Sequence, residues 1–135
     1  MVEDASLENV YREMENNPIF IKALDFSARI VNLYKCLRDE RRETVMSKQI
    51  LRSGTSIGAN ISEAIAAEST DDFIHKFSIS LKEANETKYW ILLLHRTGFI
   101  SDDEYKSIVA DCQGIRKMIG SIIRTSKQKK NNLPQ

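Results

Sequence analysis

The chain has 135 residues, of which 41% are hydrophobic and 29% are charged, with only five glycines and two prolines. This length fits one domain with a single core, and the composition is that of a helical globular protein. The formal net charge is +1, but two basic blocks alternate with two acidic ones, so the overall value neither identifies nor excludes a nucleic-acid partner.

Residues 1–16 are acidic and show weak periodicity, so they are interpreted as an N-terminal arm or a short extra helix. They lack the basic and then apolar order of a signal peptide. No apolar run reaches the about 18 residues that a membrane span needs. We therefore expect a cytoplasmic protein with no membrane partner, in which Cys36 and Cys112 remain reduced.

The first clear helix begins at Asn17 and Pro18, an N-cap candidate followed by proline at the first helical position. Apolar residues then recur at spacings of three and four as far as Leu37. The pattern fades over residues 38–43, which contain no apolar residue. This stretch is interpreted as a solvated helix end and connection.

The second predicted helix follows Ser47, a plausible cap, and contains the unusual stretch RSGTSIGANISEA at residues 52–64. A loop that holds a ligand is the alternative, but a loop would not keep the helical period of the surrounding isoleucines. Two glycines inside a helix cost roughly 1 kcal/mol each relative to alanine. We therefore expect another helix to approach closely a strip of small residues formed by Gly54 and Gly58 with Ser53, Ala59 and Ser62.

The third helix is predicted from Asp72 to about Thr97, with residues 69–71 as its cap and Gly98 as its stop signal. The fourth begins at an S-x-x-E capping box formed by Ser101 and Glu104.

Four amphipathic helices with short connections predict an all-α, antiparallel up-down-up-down four-helix bundle over residues 17–125. Residues 126–135 are polar and are predicted to form a disordered basic tail.

The sequence lacks the patterns of the common catalytic and cofactor sites. No lysine follows the glycines as in a phosphate-binding loop, and the Glu-x-x-His pairs of a di-iron bundle are absent. Nucleophilic catalysis would have only His75 and His95 as bases, and both fit a surface or boundary position better. We therefore predict no enzyme activity, no metal and no cofactor.

Polar residues near the packed faces suggest a second role. Asn60 and Glu63 lie on the second helix, and Glu83 and Glu86 on the third. A hairpin between these helices would bring Arg52 near Glu83 or Glu86, so an ion pair there is one hypothesis. The alternative is that they are ordinary solvated ions. A partly buried network would fix helix register and could specify an assembly.

The basic blocks supply the candidate nucleic-acid contacts. One set lies around the first connection and the other near the C-terminus: Arg38, Arg41, Arg42, Lys48, Arg124, Lys127, Lys129 and Lys130. The alternative interpretation is that these charges only keep the protein soluble.

Three segments carry a resemblance to a known family: SIGANISEA (56–64), DFIHKFSISLKEANETKYWILLL (72–94) and TGFIS (97–101). Over residues 17–127 the chain resembles the bacterial 23S ribosomal RNA intervening-sequence proteins. The resemblance implies a left-handed up-and-down bundle, a homopentamer around a central channel, and no catalysis. The accessory proteins of diversity-generating retroelements look similar and bind nucleic acid through basic surfaces.

Carried onto this chain, the resemblance implies packing or assembly roles for a set of small and polar residues. The small ones are Ser53, Gly54, Ser56 and Gly58, and the others are Arg52, Asn60, Glu63, Glu83, Glu86 and Trp90. The pI near 7.8 is lower than is usual for these relatives. We therefore expect a non-catalytic, self-assembling bundle that contacts structured RNA or DNA. The alternative is a scaffold or protein-interaction module without nucleic-acid binding.

Overall fold

The computed structural model describes Asn9 and residues 16–132. Four helices form most of this stretch: α1 (Pro18–Asp39), α2 (Met46–Ile65), α3 (Thr70–Arg96) and α4 (Asp102–Asn131). The predicted all-α class is confirmed. The predicted N-terminal arm or short helix lies outside the described residues, apart from Asn9 and Asn16. None of the described helices combines the length and apolar character that a membrane span needs.

Each helix packs against the next one along the chain, and α4 returns beside α1 over a shorter stretch. The α1–α2 and α3–α4 connections meet at one end of the bundle, the distal end, where Arg41 bonds Phe99 and Glu104. The start of α1, the α2–α3 connection and the end of α4 lie at the opposite, terminal end, where Lys130 pairs with Asp71. This is the predicted up-down-up-down arrangement.

Local signals define three of the helix ends, as predicted. Ser69 caps α3 by accepting a hydrogen bond from the Asp72 amide at 3.0 Å. The capping box at the start of α4 is confirmed, because Ser101 Oγ accepts from the Glu104 amide and Glu104 Oε1 accepts from the Ser101 amide. Gly98 has a φ of +82° just after α3, the left-handed conformation that glycine adopts without strain.

The start of α2 differs from the prediction. Ser47 does not cap it, and residues 38–43 are not wholly solvated, because Glu43 is only 8% exposed. The Glu43 carboxylate accepts hydrogen bonds from the backbone amides of Val45, Met46 and Ser47 at 3.0, 2.9 and 2.7 Å. Burial opposes ionisation of Glu43, but these donors outweigh it and lower the pKa of the carboxyl below its ordinary value.

The core consists mainly of isoleucines contributed by all four helices, among them Ile30, Ile57, Ile91 and Ile115. Buried hydroxyl groups join α2 to α3 inside this core. Ser80 Oγ donates to the Ile57 carbonyl at 2.8 Å, and the Thr87 and Ser53 hydroxyls share a hydrogen bond of 2.9 Å. Because the hydroxyls of Ser53, Ser80 and Thr87 each have a partner, the core accepts these three groups without a large desolvation penalty.

The end of α4 also differs from the prediction. The helix continues to Asn131, whereas residues 126–135 were expected to form a disordered tail. Extending an established helix adds a backbone hydrogen bond for each residue without a new nucleation cost, so polar residues suffice. Lys130 ion-pairs with Asp71, and lysines in a last turn interact favourably with the helix dipole. The last three residues lie outside the described part of the chain.

Candidate nucleic-acid interface and packing residues

The two glycines of the small-residue strip face α1 of the same chain. A Cβ atom on Gly54 would lie 2.8 Å from two side-chain carbons of Ile30. On Gly58 it would lie 3.3 Å from Ser27 Oγ and 3.6 Å from the Ala23 Cβ. The stretch at residues 52–64 is therefore a helix that another helix approaches closely, and this neighbour belongs to the same subunit.

The remaining small and polar residues of α2 point elsewhere. Ser53 is fully buried and bonds Thr87 on α3. Ser56 Oγ donates to the Arg52 carbonyl at 2.6 Å, and Asn60 Nδ2 donates to the Ser56 carbonyl at 2.8 Å. Both groups thus find acceptors on the preceding turn of their own helix, and the strip does not act as one surface.

The polar set contains one ion pair between helices. Glu63 on α2 lies 2.9 Å from Lys76 Nζ on α3, a partner that the sequence analysis missed. Within residues 16–132, Arg52 forms no ion pair with Glu83 or Glu86. Burial and the neighbouring Glu86 carboxylate raise the pKa of Glu83, and Arg52 opposes this shift only at longer range.

Trp90 lies half-buried on α3, against the core. Its ring meets the Tyr89 ring edge to face, with centroids 5.0 Å apart. The indole N–H is buried and has no acceptor among the described residues. The ring therefore contributes packing, while Tyr89 is 55% exposed beside it.

At the distal end the four predicted nucleic-acid contacts fall into two groups. Arg41 Nη1 donates to the Phe99 carbonyl at 2.5 Å and Nη2 to Glu104 at 2.9 Å, so Arg41 joins the two connections. Arg38 forms a two-point contact with Asp39 and lies over the Tyr34 ring. Arg42 and Lys48 are exposed. Two of the four cations are thus already paired with carboxylates.

At the terminal end, Arg124, Lys127 and Lys129 are exposed, whereas Lys130 pairs with Asp71 of α3. Because α4 remains helical, two of these residues fall on one outer face with two earlier lysines. We call this surface the α4 basic strip: Lys106, Lys117, Arg124 and Lys127, all exposed. Lys106 and Lys117 were not predicted to belong to this surface, although spacings of eleven, seven and three place the four cations on one helical face.

After the acidic first turn of α4, which contains Asp102, Asp103 and Glu104, the α4 basic strip has few acidic neighbours along its own helix. Between Lys106 and Lys127 the sequence contains a single carboxylate, Asp111. Arg29 of α1 binds Asp111 at 2.7 Å and Ser107 Oγ at 2.7 Å. The one negative charge between Lys106 and Lys127 is therefore balanced on the α1 side of the helix, whereas Asp102 lies one turn before Lys106 and interacts with it.

The surroundings of His95 and Cys112 indicate structural roles for both residues. His95 Nε2 lies 2.6 Å from Asp102 Oδ1, its ring stacks on Tyr105, and this contact lowers the pKa of the Asp102 carboxyl. Burial raises the pKa of the Cys112 thiol to about 11, so it remains protonated at neutral pH. Within the described part of the chain, no three His, Cys, Asp or Glu residues form a cluster that could hold a metal ion.

Comparison with known proteins places the sequence beside one family. Residues 15–121 match the family described as 23S rRNA-intervening sequence protein. A similar solved structure is the crystal structure of a protein of unknown function from the S23 ribosomal protein family of Bacteroides thetaiotaomicron. The two sequences are 59% identical, the match covers 78% of this chain and 97% of that one, and the TM-score is 0.77. No curated protein matches the chain.

Proposed function

Because the chain belongs to the 23S rRNA-intervening sequence protein family, we propose that it is a non-catalytic, self-assembling bundle that contacts structured RNA. The observation that supports RNA contact best is the α4 basic strip. Four exposed cations lie on one helical face, and the only carboxylate in that stretch of α4 pairs with α1. A rigid row of cations whose only acidic neighbours on α4, apart from the paired Asp111, lie in the first turn of the helix suits a phosphate backbone.

The dimensions of the strip suit a nucleic-acid groove or backbone. Twenty-one residues separate its first and last cations, which is about 30 Å of α-helix. A contact of this kind releases condensed counterions, so the logarithm of the affinity falls by roughly 0.7–0.9 per neutralised phosphate for each unit of log salt. Recognition would depend on RNA shape and charge, because the strip contains no aromatic side chain to stack on bases.

The distal end contributes less to this proposal. Arg42 and Lys48 are exposed, but Arg38 and Arg41 contact carboxylates within the protein. An arginine that must leave such a pair before binding phosphate gains less from the exchange. We therefore assign the main contact to α4 and a secondary one to Arg42 and Lys48.

Self-assembly into a homopentamer is the second part of the proposal. Its support is a shallow groove between α1 and α2, about 320 Å³ in volume, that includes Phe20, Leu24, Thr55 and Ala59. Leu24 is 44% exposed in this groove. A small-residue floor beside an exposed leucine suits the approach of a helix from another subunit.

The alternative function is a scaffold that binds other proteins and no nucleic acid. The observation that favours it is that Arg29, Arg38, Arg41 and Lys130 are all paired with carboxylates of the same chain. In that case the charges of the α4 basic strip serve solubility only.

Salt-dependent binding of a structured RNA distinguishes the two functions. The test variant carries Lys117→Gln, Arg124→Gln and Lys127→Gln. A matched control removes three exposed cations elsewhere, Lys35→Gln, Lys82→Gln and Arg96→Gln. We expect the test variant to lose at least about tenfold in affinity and to show a shallower salt slope, with little change in the control. Absence of binding by the unmodified protein even at low salt would contradict the RNA proposal and support the scaffold alternative.

A further inference from the structure

One aromatic ring of the bundle is open to solvent. Tyr89 on α3 is 55% exposed, and among the described residues it is the only exposed Phe, Tyr or Trp. The rings of the other two described tyrosines are covered, because the Arg38 guanidinium lies over Tyr34 and His95 stacks on Tyr105. Burial of an aromatic ring is strongly favourable, so the open Tyr89 ring is a surface available to a ligand.

The Tyr89 ring is held in position by the next residue. It meets the Trp90 ring with centroids 5.0 Å apart and ring planes at 72°. Trp90 in turn packs against the core, so the pair connects a buried side chain to an open one. A ring whose orientation is already fixed loses little conformational entropy when a flat partner binds to it.

Tyr89 lies on the side of α3 that faces α4. Asn85, one turn earlier on the same face of α3, accepts a hydrogen bond of 2.6 Å from Arg116 Nε of α4. The Cys112 thiol of α4 donates to the Ala84 carbonyl of α3 at 3.4 Å. These two contacts fix the antiparallel register of α3 and α4 around Tyr89.

This register places Tyr89 beside the α4 basic strip. The ring is level with about residue 109 of α4, between the first two cations of the strip, Lys106 and Lys117. Those two cations are eleven residues apart, or about 16 Å of helix. Because the axes of packed helices are only about 8–10 Å apart, the ring and the strip belong to one continuous surface.

We propose that the Tyr89 ring stacks on an unpaired base of an RNA whose phosphates lie on the α4 basic strip. The inference rests on the proposed function and adds a base contact to it, because the strip itself contains no aromatic side chain. A base stacks on a side chain when it lies outside a paired helix. The ligand is therefore a structured RNA with an unpaired nucleotide beside a paired stem.

The positive charge next to Tyr89 favours a nucleotide over an apolar partner. Arg116 donates to the side-chain oxygens of Asn85 and Gln113, and both of these acceptors are neutral. Its charge is therefore not cancelled by these contacts. Lys117 follows it directly and is exposed. A phosphate beside the stacked base would complement both cations.

The acidic residues near this surface compete little with a phosphate at Arg116. On α3, Glu86 interacts with Glu83, which also interacts with Arg52 of α2, so these carboxylates lie on the α2 side. At the start of α4, Asp102 interacts with Lys106. We therefore expect the cations at residues 116 and 117 to contribute more to the attraction than Lys106 does.

The test compares binding to two RNA duplexes of equal length, one fully paired and one with a single unpaired adenosine. The variants are Tyr89→Ala, Tyr89→Phe and the matched control Tyr34→Ala, which removes a ring on α1. We expect Tyr89→Ala to bind the RNA with the unpaired adenosine about tenfold more weakly and the paired RNA equally well. Tyr89→Phe and Tyr34→Ala should bind both RNAs like the unmodified protein. The salt slope should stay the same in all four proteins, because no phosphate contact is removed.

A fluorescent adenine analogue at the unpaired position reports stacking independently of affinity. At saturating protein, its emission should change with the unmodified protein and Tyr89→Phe, and much less with Tyr89→Ala. Equal binding and equal emission with Tyr89→Ala and the unmodified protein would overturn the stacking proposal and leave the RNA function standing. If the unmodified protein binds neither RNA at low salt, the proposed function is refuted and the stacking proposal is refuted with it.

Discussion

Glu43 shows how a single carboxylate can position a helix. It receives three backbone amides of the first turn of α2 while almost fully buried. These amides belong to the four donors that every helix start leaves without an intrahelical partner. The residue lies in a charged stretch without apolar period, so no sequence pattern distinguished it from its solvated neighbours.

Replacing Glu43 by glutamine should lower stability by about 1–2 kcal/mol, because a neutral amide accepts these hydrogen bonds more weakly. The isosteric change Glu83→Gln provides the contrast. Burial and Glu86 raise the pKa of Glu83, so its charge is unfavourable and its removal should leave stability equal or slightly higher. Urea unfolding at pH 7 measures both, and a similar loss in the two variants would contradict this assignment.

The carboxylates of Glu43 and Glu104 predict that the protein loses stability at acidic pH. The pKa values of Glu43 and Glu104 are lowered in the folded protein from an ordinary value near 4.5. Their contribution is therefore fully present above about pH 4.5 and is lost as the pH falls through the folded pKa values. We expect the urea midpoint to fall between pH 5 and pH 3, and to fall less in Glu43→Gln. A pH-independent midpoint would contradict this prediction.

Gly54 and Gly120 provide a matched pair inside helices. Alanine at Gly54 would place its Cβ 2.8 Å from Ile30, whereas at Gly120 the nearest atom is the end of Arg124 at 3.7 Å. Gly54→Ala should therefore cost about 1–3 kcal/mol through overpacking, despite the gain in helix propensity. Gly120→Ala should gain up to about 1 kcal/mol. Thermal unfolding compares the stabilities of the two variants. Stabilisation by both changes would show that α1 shifts to accommodate the added methyl group at little cost.

At the scale of the elements, the sequence predicts what depends on neighbours in the chain. The spacing of apolar residues indicated all four helices, and Ser69, Gly98 and Ser101 indicated ends that depend on residues a few positions away. The end of α4 was missed because Lys130 contacts Asp71, 59 positions earlier in the sequence. The partner of Gly54 was likewise left open, because only the packed fold brings Ile30 to it.

Arg41 tests how strongly the two distal connections are coupled. Its contacts with Phe99 and Glu104 span 58 and 63 positions of sequence. Arg41→Gln should lower stability by about 1–3 kcal/mol, because the Phe99 carbonyl and the Glu104 carboxylate lose a charged donor. The adjacent exposed Arg42→Gln should change stability by less than about 0.5 kcal/mol. Equal effects in a urea titration would show that the contact adds little.

At the scale of the whole molecule, two groups of basic residues can be distinguished: those that pair with other groups of the chain and those that remain open on the outer face of α4. Near the distal end, Arg41 joins the two connections and Arg38 pairs with Asp39, while Arg42 and Lys48 are exposed. The cations on the outer face of α4 have no carboxylate partner on their own helix between Lys106 and Lys127, apart from the paired Asp111. A net charge of +1 therefore combines a partly neutralised distal end with an open basic face on α4.

The assembly proposal predicts which face controls oligomer mass. Leu24→Glu places a charge in the α1–α2 groove, and we expect it to reduce the mass in solution toward the 15.5 kDa of one chain. Leu92→Glu is the matched control, because Leu92 is similarly exposed at 41% but lies on α3. Light scattering measures both. Dissociation by Leu92→Glu alone would place the interface on α3.

The four helix–helix interfaces of the bundle differ in extent. α1 and α4 contact each other over a short stretch only. There Arg29 of α1 bonds Asp111 of α4 between two surface grooves. The buried hydroxyl bonds, by contrast, hold α2 and α3 in fixed register. Thermal fluctuations should therefore separate α1 from α4 first, while α2 and α3 remain paired.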